Sequence, residues 1–303
     1  MSTVSALILA AIVAATGTDP YVRSHTNDGA HCLWWPTGSL VYNQSELGNP
    51  NGDNPFQAVT TSWQSWQAIQ SSCGNLILSE GPHLCCTTPG TPGRTASYDP
   101  SSNDNHNVVM FRQRLCSNAA TPGDPCLSRG DCNNVLDCWS NLVSSGTIGL
   151  TTTTYRLSTG QILDADIEFN AATFHFSTLQ SGPPCSFGHY SGCIATDVQN
   201  TATHEFGHSL GLDHTTYCDG GICSVMNGSS SLGEISKRTI DPWSSTFVCD
   251  AYPKGRASQD CISSSTSSVS ASKSGCASAP GRSAWPLLAL LTLGLAKRRL
   301  LRS

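Results

Sequence analysis

The chain has 303 residues, a formal net charge of −5 and only 12% charged residues. With no basic patch, this charge pattern excludes the usual electrostatic footprint of a nucleic-acid-binding protein. Its 15 cysteines are far too many for a reduced cytosolic protein of this size, so we expect an exported one. Once both ends are set aside, roughly 245 residues remain, which suits one domain with a substantial core.

The first predicted element is an apolar run over residues 6–15, followed by small residues. The run has the length of a signal-peptide core and is too short for an ordinary membrane-spanning helix. We therefore expect residues 1–17 to be a signal peptide and residues 18–262 to form the folded domain.

Two further patterns predict regular structure before the middle of the domain. Trp63 and Trp66 recur at helical spacing within residues 56–71. Residues 147–156 and 161–170 alternate apolar and polar side chains on either side of a Ser-Thr-Gly turn, which predicts a β-hairpin.

The most specific pattern is the run of residues 204–214, HEFGHSLGLDH. His204 and His208 are four residues apart, so a helix places both imidazoles on one face, one turn apart. Gly211 has no Cβ and can end that helix with a positive φ, after which His214 completes a three-histidine site. Glu205 lies beside the first ligand, within reach of a metal-bound water. Three protein ligands with one open position are typical of a catalytic zinc ion.

Asp197 is a candidate N-cap for the helix that carries this run. Two simpler interpretations compete with a catalytic site. One is a surface helix that carries three histidines by chance, and the other is a zinc site without activity. Five fixed residues rarely align by chance, and a purely structural site has no need of Glu205.

The run resembles the zinc signature of the metzincin metallopeptidases, and residues 21–253 are similar to a matrixin-type metzincin of the bacterial branch. This family carries a methionine turn beneath its zinc ion, and Met226 lies at the expected distance after the motif. The resemblance implies an α/β (α+β) zincin fold with a twisted, mainly parallel sheet and two long helices. A small irregular lower subdomain is expected after Gly211.

The same resemblance assigns further elements. They are strands at residues 41–43, 76–78, Asn107–Phe111 and Ile162–Phe169, a first long helix at residues 56–71, and a last helix that opens at residues 234–239 and ends near residue 253. The chain also departs from matrixins. Thr215 replaces the usual serine, and Asn227-Gly228-Ser229 stands where a Pro-x-Tyr element walls the main specificity pocket, so the substrate preference stays open.

The resemblance implies a zinc-dependent endopeptidase that cleaves extracellular or cell-surface proteins and peptides, with one catalytic Zn²⁺ and Met226 as a structural residue. Zinc lowers the pKa of water toward neutrality and polarises the scissile carbonyl. Glu205 then acts as general base and delivers the proton to the leaving amine. The edge strand holds the peptide extended by strand addition. The alternatives are a surface binding module that keeps zinc without turnover, and a peptidase for a single envelope partner. We expect a monomer.

Additional metal sites have weaker support. Matrixins of vertebrates carry a second zinc and calcium in the loop before the active-site helix, where this chain has His175 and His189. The Asn-rich stretches 49–54 and 103–107 offer oxygen ligands for Ca²⁺. These residue types also favour ordinary turns, which is the simpler interpretation.

The cysteines predict a disulfide framework. Setting Cys276 aside leaves an even number, so up to seven disulfides are compatible with the sequence. Even parity also favours a disulfide at Cys32 over a thiolate that blocks the zinc. Short spacing predicts local pairs and a stapled insertion before the hairpin. They are Cys185 with Cys193, Cys218 with Cys223, and the insertion cysteines Cys116, Cys126, Cys132 and Cys138.

The C-terminal region predicts a route to the cell surface. Residues 263–274 are serine-rich and have the composition of a flexible linker. Residues 275–303 combine Gly275-Cys276, an apolar run and a basic cluster, and resemble the Gly-Cys sorting tails of myxobacterial surface proteins. The alternative is a plain C-terminal membrane anchor. We expect a secreted or surface-attached protein that meets the membrane only through this tail.

Overall fold

The computed structural model of the chain describes residues 20–51, 54, 56–86, 88, 90–261 and 297–301. The strands in this part of the chain are β1 (Val22–Arg23), β2 (Gly38–Gln44), β3 (Leu76–Glu80), β4 (Asn107–Phe111), β5 (Gly149–Arg156), β6 (Ile162–Phe169), β7 (Phe176–Ser177), β8 (Thr196–Asp197), β9 (Leu212–Asp213), β10 (Cys218–Asp219), β11 (Ile222–Cys223) and β12 (Lys297–Leu301). The α-helices are α1 (Gln57–Cys73), α2 (Cys116–Ala119), α3 (Pro125–Arg129), α4 (Cys132–Leu136), α5 (Val198–Ser209) and α6 (Pro242–Ala251).

A mixed sheet organises the molecule, in the order β12-β5-β6-β4-β2-β3. β3, β2, β4 and β6 are parallel to one another, whereas β5 runs antiparallel to β6. The predicted hairpin is therefore confirmed, as is the strand Asn107–Phe111. The coarse expectation of an α/β protein with a mainly parallel sheet is also correct.

The outermost strand of this sheet is β12, which pairs in parallel with β5. The register places Lys297 opposite Thr152 and Leu301 opposite Arg156. Gly149, Leu150 and Thr151, at the start of β5, lie outside that register. This part of β5, beyond the pairing with β12, lies close to α5 and matters for the site described below.

The main core lies between one face of the sheet and the helices α1 and α5. Trp63 and Trp66 of α1 are buried, as their helical spacing predicts. Trp63 packs against Phe206 of α5 with ring centroids 4.6 Å apart, and Tyr42 of β2 closes the group at 4.3 Å from Trp63. The Nε1–H of Trp66 donates to the carbonyl oxygen of Thr203, which fixes α1 against α5.

A disulfide-stapled insertion between β4 and β5 carries α2, α3 and α4. As predicted from spacing, its four cysteines pair with one another, as Cys116–Cys138 and Cys126–Cys132. It is joined to the sheet by the fully buried Arg112, whose guanidinium contacts Glu168 of β6 at 2.6 Å and Asp137 at 2.9 Å.

The remaining disulfides divide into local and long-range pairs. The predicted pairs Cys185–Cys193 and Cys218–Cys223 are present. Two bridges that spacing alone does not predict, Cys32–Cys261 and Cys73–Cys249, join the two ends of the domain. Cys85 and Cys86 lie outside the six disulfides of the described residues.

The predicted start of the last helix is wrong. Within residues 234–239 the regular structure is limited to the short 3-10 helix Ser236–Arg238, and α6 begins only at Pro242. The reason is the Asp241-Pro242 pair. Asp241 caps the first turn by accepting hydrogen bonds from two backbone amides, and proline is favoured at the first helical position.

None of the described helices combines the length and the apolarity needed to cross a bilayer. The predicted signal peptide (1–17), the serine-rich linker (263–274), Cys276 and the apolar run that follows it lie outside the described residues.

Candidate metal centre

The helix α5, which packs against β5 and β6, carries the first two histidines of the motif. Asp197 is its N-cap, as predicted, and its Oδ1 accepts the backbone N–H of Asn200 at 2.7 Å. His204, Glu205 and His208 follow on the helix and are all fully buried. Burying three polar side chains on one helix is costly unless each has a partner.

The end of α5 is built to turn the chain back toward the motif. Gly211 has a φ of +101°, and a Cβ at this position would come within 2.6 Å of the carbonyl oxygen of Leu33. Two side chains satisfy the last carbonyls of the helix: Trp35 Nε1–H donates to Ser209 at 2.7 Å, and the Tyr252 hydroxyl donates to Leu210 at 2.6 Å. The prediction that Gly211 ends the helix is confirmed.

The three predicted ligands converge. After Gly211, the strand β9 brings His214 back so that the Nε2 atoms of His204, His208 and His214 lie 3.1 Å from one another. The opposite nitrogens of two rings face carbonyl oxygens. His204 Nδ1 lies 2.6 Å from the oxygen of Val225, and His208 Nδ1 lies 2.9 Å from that of Leu212.

These contacts identify the tautomers of His204 and His208. A ring nitrogen that faces a carbonyl oxygen must carry its proton there, so the Nε2 atom of each neutral ring presents a lone pair. Lone pairs that converge at 3.1 Å repel unless a cation lies between them. Tetrahedral zinc with Zn–N distances near 2.0–2.1 Å separates its nitrogens by about 3.3 Å. The donor set therefore fits a metal ion, and zinc is a chemically suitable one.

The electrostatics of the histidines agree with metal binding. Burial, with a further contribution from His208 and His214, lowers the pKa of His204 well below its ordinary value. Burial and the neighbouring His208 lower the pKa of His214 to about 3. Neutral imidazole is the metal-binding form, so both rings are ready to ligate at neutral pH.

Met226 packs against the helix that carries two of the histidines. The side chain is fully buried, and a Cβ on Gly207 of α5 would meet its sulfur at 2.3 Å. The helix can approach the methionine this closely because residue 207 is glycine. Gly228, two residues further on, is similarly close to His214: a Cβ there would come within 3.0 Å of the ring.

A carboxylate holds the backbone next to Met226. Asp241, which caps α6, also accepts the backbone N–H of Val225 through Oδ2 at 2.7 Å. The carbonyl of the same Val225 receives the ring N–H of His204. Asp241 thus orients a ligand through a single intervening residue.

Glu205 points toward Gly149 and Thr151 at the start of β5. The Thr151 hydroxyl donates to Glu205 Oε2 at 2.7 Å, and Oε1 is buried with no hydrogen-bond partner. Burial raises the pKa of the Glu205 carboxyl to about 8, while the bond from Thr151 acts in the opposite direction. A cation on the neighbouring histidines favours the ionised carboxylate.

The residues considered for additional metal sites make other contacts in the structure. In the part of the chain that the structure describes, His175 and His189 join no three-residue cluster of metal-ligating side chains. His175 instead stacks on Tyr190 with ring centroids 4.5 Å apart. In the two Asn-rich stretches, side chains make local hydrogen bonds to the backbone, as at Asn49 and Asn105.

A second His/Cys group lies at the ends of the domain. His25 Nε2 is 3.4 Å from Cys32 Sγ, and Cys261 is the third member. Both sulfurs belong to one disulfide, so Cys32 is not a thiolate directed at the histidine centre.

Sequence reasoning missed three residues of the site: Gly149, Thr151 and Asp241. Thr151 is one of four consecutive threonines, and Asp241 follows the motif by almost thirty residues, so neither has a local signal. Compared with known protein-family models and with curated proteins, the chain has no match.

Proposed function

We propose that this protein is a zinc-dependent endopeptidase with a metzincin fold. The observation that carries the proposal is the buried Glu205, which follows His204 on α5, together with the three converging imidazole nitrogens. A structural zinc site has no use for a buried carboxylate with one oxygen unpartnered. Such an oxygen carries a desolvation cost of about 1–3 kcal/mol, and a water molecule to be deprotonated gives it a role.

The substrate is an extended segment of a protein or peptide outside the cytoplasm. Gly149, Leu150 and Thr151 are the part of β5 that lies closest to Glu205 and outside the register of β12. An extended peptide can add to this short stretch of edge through main-chain hydrogen bonds. The six disulfides support a protein that works in an oxidising compartment.

His204, His208 and His214 would hold the zinc ion, which would supply a Lewis acid to polarise the carbonyl and make water more acidic. Glu205 accepts a proton from the attacking water on Oε1. A C–O bond forms at the scissile carbonyl, and the C–N bond breaks as Glu205 passes the proton to the leaving nitrogen. Thr151 and the buried surroundings hold the carboxylate in place during both transfers.

The test is cleavage of casein and gelatin by the protein purified under oxidising conditions, with and without a zinc chelator. Glu205→Gln removes the proton acceptor at constant size and should abolish cleavage while one zinc per chain stays bound. Glu46→Gln, the same change at an exposed glutamate, is the matched control and should leave cleavage unchanged. A wild-type protein that binds zinc and cleaves neither substrate would contradict a general protease and favour a zinc-containing binding module.

A further inference from the structure

The two carboxylate oxygens of Glu205 have different surroundings. Oε2 accepts the Thr151 hydroxyl at 2.7 Å, whereas Oε1 is buried with no hydrogen-bond partner. A carboxylate with two free oxygens can rotate and present either one. Here only one oxygen is available to a reacting water, and the other is fixed to the sheet.

Thr151 is well placed to fix that oxygen, because it belongs to β5 rather than to α5. Its hydroxyl is fully buried and also lies 3.1 Å from the main-chain oxygen of Glu205. A hydroxyl has one proton, and the shorter contact is to the charged acceptor, which forms the stronger hydrogen bond. The strand β5 therefore sets the orientation of a side chain on the neighbouring helix.

Gly149 lies next to the other carboxylate oxygen of Glu205, Oε1. A Cβ on this residue would lie 2.6 Å from Glu205 Oε1 and 2.9 Å from the carboxyl carbon. Any side chain here would displace the carboxylate or fill the space beside it. The φ angle of Gly149 is not positive, so the requirement for glycine is spatial rather than conformational.

We propose that Thr151 and Gly149 form a positioning pair for Glu205: the Thr151 hydroxyl holds Oε2, and the absent side chain of Gly149 keeps Oε1 open to the attacking water. This inference rests on the proposed peptidase function and extends it to two residues of β5. General acid–base catalysis contributes roughly 10²–10⁴-fold to a rate, so a misoriented base should lose a large part of that factor.

The experiment compares Thr151→Val, Thr151→Ser and Gly149→Ala with wild type in the full chain. Valine keeps the shape of threonine without the hydroxyl, and serine keeps the hydroxyl. Thr153→Val, on the same face of β5 and equally buried, is the matched control. For each variant kcat, KM and zinc content are measured on a peptide cut from casein, and a crystal structure of the zinc-loaded Thr151→Val protein reports the position of the carboxylate.

We expect Thr151→Val and Gly149→Ala to lower kcat at least about tenfold with KM within about twofold. Zinc content should be unchanged, Thr151→Ser should retain most activity, and the Glu205 carboxylate should be displaced in the Thr151→Val crystal structure. If Thr151→Val cleaves like wild type while Glu205→Gln is inactive, the positioning role is refuted and the peptidase stands. Loss of zinc or of folding in both variants would mean a structural role and would also refute it. A wild type that binds zinc and cleaves nothing overturns the proposed function and this inference with it.

Discussion

Replacing Asp241 with asparagine tests whether the last helix controls the metal centre. Asp241 uses both oxygens: Oδ1 accepts the N–H groups of Trp243 and Ser244 at the start of α6, and Oδ2 accepts Val225 N–H. Asparagine has one acceptor oxygen and one NH₂ group. In either orientation its NH₂ group faces a backbone donor, so one of these hydrogen bonds is replaced by a repulsion.

The hydrogen bonds of Asp241 determine how much stability the substitution should cost. Asparagine is itself a good N-cap, so the loss comes from the side where a buried N–H is left without an acceptor, which costs about 1–3 kcal/mol, and the free energy of unfolding should fall by about that amount. The second effect is on metal binding. Val225 holds the ring of His204 at 2.6 Å, and mutation of such outer contacts lowers metal affinity about 10–100-fold.

Two measurements separate these effects. Urea unfolding of the metal-free protein gives the loss of stability, and competition with a chelator of known affinity gives the zinc dissociation constant. Asp250→Asn, the same substitution on the exposed side of α6, is the control and should change neither greatly. If Asp241→Asn destabilises the protein but binds zinc as tightly as wild type, the link through Val225 does not orient His204.

Two further predictions concern pH and the buried ion pair. The pKa of His214 is lowered to about 3 from an ordinary value of 6.5. Its contribution to the stability of the metal-free protein is therefore complete above pH 6.5 and is lost as the pH falls toward 3. Urea unfolding should show a smaller loss of stability over that pH range in His214→Gln than in wild type. Arg112→Leu leaves Glu168 buried without its partner and should lower the free energy of unfolding by about 3–5 kcal/mol, with partial recovery when Glu168 is also made leucine. Arg129→Leu, at an exposed ion pair, should change little in the same assay, and an equal loss in both arginine variants would contradict this reasoning.

Much of the fold could be predicted because its signals are local. The hairpin of β5 and β6 follows from alternation and a turn, and the paired cysteines of the insertion follow from short spacing. The family resemblance places the start of the last helix too early, at residues 234–239, whereas α6 begins at Pro242. The N-cap and proline pair at Asp241-Pro242 is a stronger local signal for the start of that helix.

The candidate site also has one part that local sequence signals predict and one part that they do not. The three histidines share one short motif, and their geometry follows from helical spacing and the turn at Gly211. Thr151 and Asp241 reach the site only through the packing of β5 and α6 against α5. Sheet order and helix packing decide which threonine faces Glu205, and no periodicity in the sequence carries that information.

The long-range disulfides explain how a loop-rich chain holds this geometry. Cys32 lies three residues before Trp35, and Cys249 lies three residues before Tyr252. The side chains of Trp35 and Tyr252 donate hydrogen bonds to the carbonyl oxygens at the end of α5. The disulfides of Cys32 and Cys249 close segments of 229 and 176 residues, the kind of closure that most restricts an unfolded chain. Each disulfide therefore holds a hydrogen-bond donor from a distant part of the chain close to the end of α5. The turn at Gly211, which brings in the third histidine, is supported by covalent ties at the two ends of the domain.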